Sequence, residues 1–465
     1  MTALNIIFFI SVYPIALLLY YFMRNAGNGK GKYCFGAVMK KEWLDDDEVA
    51  AVISRYKKRL NLTMLVFMLV PISFVFIPYM SIAINLWMTW IYGMIAVPMI
   101  PAIIGNKEFR EIKRQRGWDE QVVDSADMLV ELKEAGRVRQ VHLKTFMLPI
   151  IICVVAVAAS AVVAGKTGDD VELMLTAVMG SASVALFLAA IWMDRQRTQV
   201  ISSDSAVNVN YSRAKKKTWK NFWLECVWSN TIATALIPLG MAVDKEKTME
   251  LLVWASIGEC LLVLIFTYML GRKLNSIEKM YADKNEICDS TESDSNWIGG
   301  IIYYNPKDGH SMVSTRMGTG TTMNMATGFG KGVMIFTAAV IVGSFILTGS
   351  IIVEEFTPIH LELDNQMIVS RHVSTEYSIS VSDVKNVQLL TQMPSAFRKN
   401  GTGMDNLKKG DFAVKDNGRC ELCINPQNGL FIRIETEKQV YYLSGIDDAE
   451  TRAVYDELIA VLAVN

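Results

Sequence analysis

Chemistry needs polar groups in places where they can act, and Glu259 is the sharpest such residue in this chain. It stands near the centre of an apolar run, residues 249–270. A charge at the middle of a bilayer costs about 2.5–3.5 kcal/mol on insertion scales, so such a group turns to a bundle interior or a cavity. Asn230 and Thr234, at similar depth in the run 222–243, are the expected hydrogen-bond partners. The three read either as a proton or cation site or as a neutral carboxyl bridging two helices. Cys420-Glu421-Leu422-Cys423 has the spacing of a redox pair, but it lies in an alternating strand pattern. Residues three apart in a strand point to opposite faces, which makes these structural thiols. The four His (His142, His310, His360 and His372) are dispersed, with no His-Glu-x-x-His and no Gly-x-Ser-x-Gly. No second Cys/His pair follows at zinc spacing. The expectation is a non-enzymatic protein with no cofactor and no metal.

The elements that hold these residues are set by where charges are missing. Eight runs, residues 3–23, 62–79, 82–104, 146–164, 172–193, 222–243, 249–270 and 331–353, carry almost no Asp, Glu, Lys or Arg. Each is about the 20 residues a helix needs to cross a ~30 Å hydrocarbon core. With 51% apolar and 20% charged residues, the composition points to a multi-pass membrane chain with the lipid bilayer as its first partner. The uncharged stretch 62–104 is long enough for two crossings, with Pro78-Tyr79-Met80-Ser81 as the turn between them.

Lys and Arg collect in alternate connections: 24–60, 105–145, 195–220 and 272–331. Their counterparts near Met80-Ser81, at 166–171 and at 244–248 are short and poor in basic residues. The positive-inside rule then puts the four basic connections in the cytoplasm and both termini outside a cell membrane. The basic loops are thereby accounted for, and nucleic-acid binding has no further support. Asp45-Asp46-Asp47-Glu48 followed by Val49, Val52, Ile53, Tyr56 and Leu60 reads as an amphipathic helix with acids at its amino end.

The domain reading is a seven-helix region over 1–270, a cytoplasmic loop over 271–330, an eighth helix over 331–353 and a separate domain over 357–465. In the loop, Asp289–Asn296 reads as a mobile polar tract. Trp297 to Tyr304 reads as a short strand before the turn chemistry of Asn305-Pro306-Lys307-Asp308. Gly318 and Gly320 lack the Lys-Ser/Thr of a phosphate loop. Tyr303, Tyr304, Asn305, Pro306 and Asp308, followed by Arg316, Gly318, Gly320 and Asn324 ahead of a helix, resemble the signature of a family of uncharacterised bacterial polytopic membrane proteins. That resemblance implies an architecture and no established activity.

Beyond Phe356 the period changes to alternation, with eight candidate strands between His360 and Leu443. Gln392–Gly410 reads as a long glycine-containing connection. A last helix follows, with Asp447 and Glu450 as its cap pair. Antiparallel strands closed by one helix look like a bacterial pleckstrin-homology-like (PH-like) domain. The fold class expected is therefore a membrane all-α bundle of about eight helices plus a β-rich PH-like domain. Arg398, Lys399, Lys408 and Lys409 flank the long connection and are candidate anion contacts. The function expected is envelope sensing, immunity or scaffolding, with the PH-like domain meeting another membrane or envelope protein. The rival is a small-solute or ion transporter acting through Glu259.

Overall fold

The structure, a computed structural model, describes residues 2–26, 33–118, 138–167, 171–195, 205–243, 245–282, 293–317, 320–373, 375–415 and 417–464. Gly318 and the basic residues within 119–137 and 196–204 lie outside them. The helices are α1 (Thr2–Ala26), α2 (Asp47–Leu69), α3 (Met80–Ala96), α4 (Met99–Gln115) and α5 (Leu143–Thr167), then α6 (Val171–Asp194), α7 (Ser205–Val243), α8 (Lys245–Ala282), α9 (Gly328–Phe356) and α10 (Asp448–Val464). Among the described residues, eight helical segments are long and apolar enough to cross a membrane, with α3 and α4 counted together across the break at Val97-Pro98. α2 starts where its acids predict: the Asp46 side chain accepts from Glu48 N and Val49 N, and Val49, Val52, Tyr56 and Leu60 line its buried face. It continues past the amphipathic turns into the apolar run without a break.

The chain divides into two compact units. One contains Ile6–Val70 and Ile91–Thr337. Here a hairpin of β1 (Tyr33–Cys34) and β2 (Ala37–Val38) meets a second hairpin of β3 (Trp297–Ile298) and β4 (Ile302–Tyr303). Their turns touch backbone to backbone. A Cβ on Gly36 would lie 2.2 Å from the Gly300 carbonyl oxygen, and one on Gly300 would lie 2.1 Å from that of Phe35. Both glycines sit at positive φ, where a side chain is strained as well as excluded. β5 (Met312–Ser314) and β6 (Thr321–Met323) add a third hairpin.

The other unit contains Met1–Asn5, Pro71–Trp90 and Ala338–Asn465. Its β-rich part begins three residues after α9, at β7 (His360–Asp364), which forms an antiparallel meander with β8 (Met367–His372) and β9 (Thr375–Ser380). A six-stranded sheet follows, built from β10 (Val384–Leu390), β11 (Ala396–Gly403), β12 (Lys408–Val414), β13 (Gly418–Ile424), β14 (Phe431–Thr436) and β15 (Val440–Leu443), in the order β10-β14-β15-β13-β12-β11. All its pairs are antiparallel except β13 with β15. Leu361, Ile368 and Ile379 from the meander, Ile432, Ile434 and Leu443 from the larger sheet, and Val454 and Leu458 of α10 share one core. Asp447 caps α10 by accepting from Glu450 N at 2.8 Å, as the cap pair predicts.

The expected connection Gln392–Gly410 is corrected to a β-hairpin, β11 with β12. Its glycines do not make a turn. Gly401 and Gly410 face each other across the strands, both at positive φ, and a Cβ on Gly401 would lie 2.2 Å from the Lys409 carbonyl oxygen. The hairpin turns between them and needs small residues where its backbones close up.

Gly300→Ala should lower the stability of the Gly36–Gly300 junction by at least ~2 kcal/mol, from strain and exclusion together. Gly309→Ala, with nothing within 4 Å of its Cβ position, should leave stability unchanged. Thermal denaturation of the two full-length variants in detergent checks both.

Candidate functional site

Of the tract Asp289–Asn296, expected to be mobile, residues 289–292 lie outside the described ones, and Asp294 is held in place. Ser293 caps a 3-10 turn over Asp294–Asn296, and this turn delivers the Asp294 carboxylate into a buried junction. It accepts from Lys113 Nζ at 2.6 Å, from Arg316 at 2.5 Å and from Val38 N at 3.0 Å. The Lys113 and Arg316 side chains are only 1% and 0% exposed, and both pair with this carboxylate. The Arg316 guanidinium lies 4.9 Å from the Tyr33 and Trp297 ring centroids, and Lys113 Nζ lies 5.8 Å from that of Trp43. Arg316 also donates to the Gly36 carbonyl at 3.1 Å, which ties the ion cluster to the glycine junction. Burial alone would raise the Asp294 carboxyl. The Lys113 and Arg316 charges, with hydrogen bonds from Lys113 and Val38 N, outweigh it and hold the group below the ordinary carboxylate value.

The Tyr-Asn-Pro segment serves the same module. Asn324 is fully buried; its side chain donates to the carbonyls of Asn305 and Asp308, both at 2.9 Å, and accepts from Asn305 N at 3.0 Å. Tyr303 is buried and donates to Asp308 at 3.0 Å, while Asn305 donates to the Tyr303 hydroxyl at 3.1 Å. Pro306 and Tyr304 are exposed, and Gly320 takes a positive φ between β5 and β6. These side chains knit a turn by bonding one another and its backbone.

The second polar junction lies where α9 enters the β-rich part. Glu354 receives Lys409 Nζ at 2.6 Å, and Lys409 also reaches His372 Nδ1 at 3.3 Å. His372, 1% exposed, donates from Nε2 to the Thr357 carbonyl at 3.1 Å, so its neutral tautomer is fixed by both neighbours. Burial and the Lys409 cation push the His372 pKa below its ordinary value, against the Thr357 bond and Glu354. Glu355, 2% exposed, accepts from Ser81 N at 2.8 Å. That amide is in the first turn of α3, where helical N–H groups lack partners and the dipole favours an anion. Asn406, in the β11–β12 turn, donates to the Glu355 carbonyl at 2.9 Å. The other Glu355 oxygen, the Ser81 hydroxyl and the Asn406 carbonyl oxygen have no hydrogen-bond partner among the described residues.

This junction corrects one expected anion site. Lys409 is buried against Glu354 and is not available to a ligand. Arg398 and Lys399 lie exposed near one end of the hairpin, and Lys408 pairs with Gly403 near the other. The Arg398 side chain lies within 4 Å of where a Cβ on Gly403 would stand, so it approaches the Lys408 end of the hairpin, while Lys409 is turned to Glu354.

The expected Glu259 partners are also engaged elsewhere. Asn230 donates to the Met179 carbonyl at 2.8 Å and to Ser183 Oγ at 2.7 Å, both on α6. Thr234 donates to the Asn230 carbonyl on its own helix. The donors of both residues are thus spent before they can meet Glu259, which lies half-buried on α8. Cys420 and Cys423 are free thiols in two different cores, as alternation in β13 requires.

Sequence comparison matches residues 360–453 to a family model described as a bacterial PH domain. No curated protein and no solved structure was found to be similar to the chain. The β-rich part with its closing helix therefore carries a bacterial PH domain; the match stops short of the apolar helices and of the Tyr-Asn-Pro module.

Asp294→Asn should destabilise the full-length protein by about 3–5 kcal/mol, because it removes the charge that pairs with two buried cations. The carboxylate's contribution is complete above the ordinary carboxyl pKa of about 4 and is lost as pH falls through its lower folded value. Thermal denaturation between pH 7 and pH 3 should show this acid-side loss in the wild type and a flatter profile in Asp294→Asn.

Proposed function

We propose that this is a non-enzymatic multi-pass protein of the cell membrane with both termini outside. It uses its PH-like domain to bind another membrane or envelope protein and passes that event to its helices. Sensing, immunity-type protection and scaffolding all use such an arrangement. The observation that carries the reading is the joint at Glu354 and Glu355. A passive domain would hang on a flexible linker. Here three residues separate α9 from β7. Adjacent carboxylates on the last turn of α9 bind the domain through Lys409 and cap α3 through Ser81. The unsatisfied oxygens beside Glu355 give this joint bonding capacity for a second arrangement.

Chain parity supports the sidedness. The amino end of α1, the turn before α3 and the carboxy end of α9 belong to one unit. Trp87 Nε1 donates to Asn5 at 2.9 Å, and Tyr79 packs on Phe356 with ring centroids 4.9 Å apart. The hairpin after α1, the carboxy end of α4 and the loop before α9 gather in the other unit, around Asp294. Those are the ends that alternation assigns to a common inner side, and they carry the basic flanks.

Because Cys420 and Cys423 are fully buried, labelling needs an introduced thiol. A membrane-impermeant maleimide should modify Ser382→Cys on intact cells and Ser54→Cys only after permeabilisation. The reverse pattern would place the PH-like domain inside and remove the outward-facing reading. Cross-linked partners of the full chain should disappear on deletion of 357–465 and weaken with Lys409→Met; an unchanged partner profile in both would count against a binding domain.

A further inference from the structure

An open cavity of about 240 Å³ lies between the carboxy end of α1 and the last third of α8, lined by Tyr21, Asn25, Arg272, Asn275, Ser276 and Lys279. Its walls are set by helix packing. A Cβ on Gly271 would lie 2.3 Å from Phe22 Cε1, so α8 needs glycine there for α1 to come this close. Tyr21 packs on Tyr268 at 5.1 Å between centroids, and the Arg272 guanidinium lies 6.0 Å from the Tyr268 ring centroid. The i, i+3, i+4, i+7 spacing over two turns of α8 puts Arg272, Asn275, Ser276 and Lys279 on one face, toward Asn25.

The lining is two cations, two amides, a hydroxyl and a phenol, with no carboxylate among the described residues. The adjacent acid, Glu278, is directed to Lys215 of α7 at 3.6 Å. The partial negative charge at the end of α1 is about half an elementary charge, well below the two full positive charges it faces. Depth is indicated by the sequence. Arg24 is the first basic residue of the chain, and Arg272 is the first after Lys247. Cations and tyrosines that end an apolar run stand at the level of lipid headgroups. Free phosphate compounds would meet the same donors, but only a headgroup is held at this depth by its own acyl chains.

We propose that this pocket binds the phosphate headgroup of an anionic phospholipid of the inner leaflet, an inference that rests on the membrane-spanning reading of α1 and α8. Arg272 and Lys279 neutralise the phosphate, Asn275 and Ser276 supply hydrogen bonds to it, and the Tyr21–Tyr268 pair borders the glycerol. Such a lipid would fasten α1 to α8 at their inner ends.

The test uses the full chain extracted in mild detergent from vesicles of equal phosphatidylglycerol and phosphatidylcholine, with retained lipids counted by native mass spectrometry. Wild-type protein should retain phosphatidylglycerol in preference to phosphatidylcholine by about tenfold or more, the scale of two basic contacts. Arg272→Gln/Lys279→Gln should abolish the preference. Arg272→Lys/Lys279→Arg should keep it, and so should Lys58→Gln, an exposed control on α2. Titration with glycerol 3-phosphate separates the sources: binding without a lipid preference assigns the pocket to a free phosphate compound and overturns the headgroup. Equal retention of both lipids by a protein that resists alkaline extraction overturns the pocket alone. Release of the wild type by alkaline extraction overturns the membrane reading itself.

Discussion

Uncovered apolar side chains are costly in water and cheap in a bilayer, and the long helices of this chain carry many of them. Met334, Ile335, Phe336, Val342, Ile346 and Leu347 of α9 are all exposed, as are Leu62, Leu65 and Val66 of α2 and Val154, Val155 and Val162 of α5. Such helices satisfy their own backbone hydrogen bonds and need few specific neighbours along their length. Specificity is displaced to their ends, where the chain becomes polar. α9 illustrates the result: Thr348 exchanges two hydrogen bonds of 2.8 Å with Asn85 of α3, and the last turn carries Glu354 and Glu355.

Both units place carboxylates where apolar helices meet polar chain, one shared among several donors and two adjacent ones with separate partners. Asp294 gathers Lys113, Arg316 and Val38 N. Glu354 and Glu355 divide between them Lys409 and Ser81 N. Buried ion pairs add little to stability relative to apolar packing, but removing one partner is costly, so they specify one arrangement strongly. The cations differ in how they are covered. Arg316 lies between aromatic rings, whereas Lys409 meets a carboxylate and a neutral His372 where α9 joins the β-rich part. The first cluster suits a fixed scaffold, and the second suits a joint.

The motif residues show how function-like patterns arise from structural need. Tyr303, Asn305, Asp308 and Asn324 look like a polar constellation because they bond one another and the backbone of a tight turn. Arg316 stands out in the sequence, yet its partner Asp294 lies in a tract that reads as mobile. Glu354 and Glu355 had a visible signal, two acids closing an apolar run, but nothing in their spacing named Lys409 or Ser81. His372 had none, because a single histidine in an alternating strand has no distinctive neighbour.

The sequence by itself determined the eight apolar helical segments, the acidic start of α2, the change to alternation after Phe356 and the cap of α10. These follow from local periodicity and local hydrogen bonding, which a linear reading can count. Only the tertiary structure decided that Gly401 and Gly410 oppose each other in a hairpin, that Lys409 is buried against Glu354, and that Asn230 turns to α6. Each of those depends on a partner distant in the chain or on the facing of a helix. Charge and spacing state what a residue can bond, and packing alone selects which of the available partners it meets.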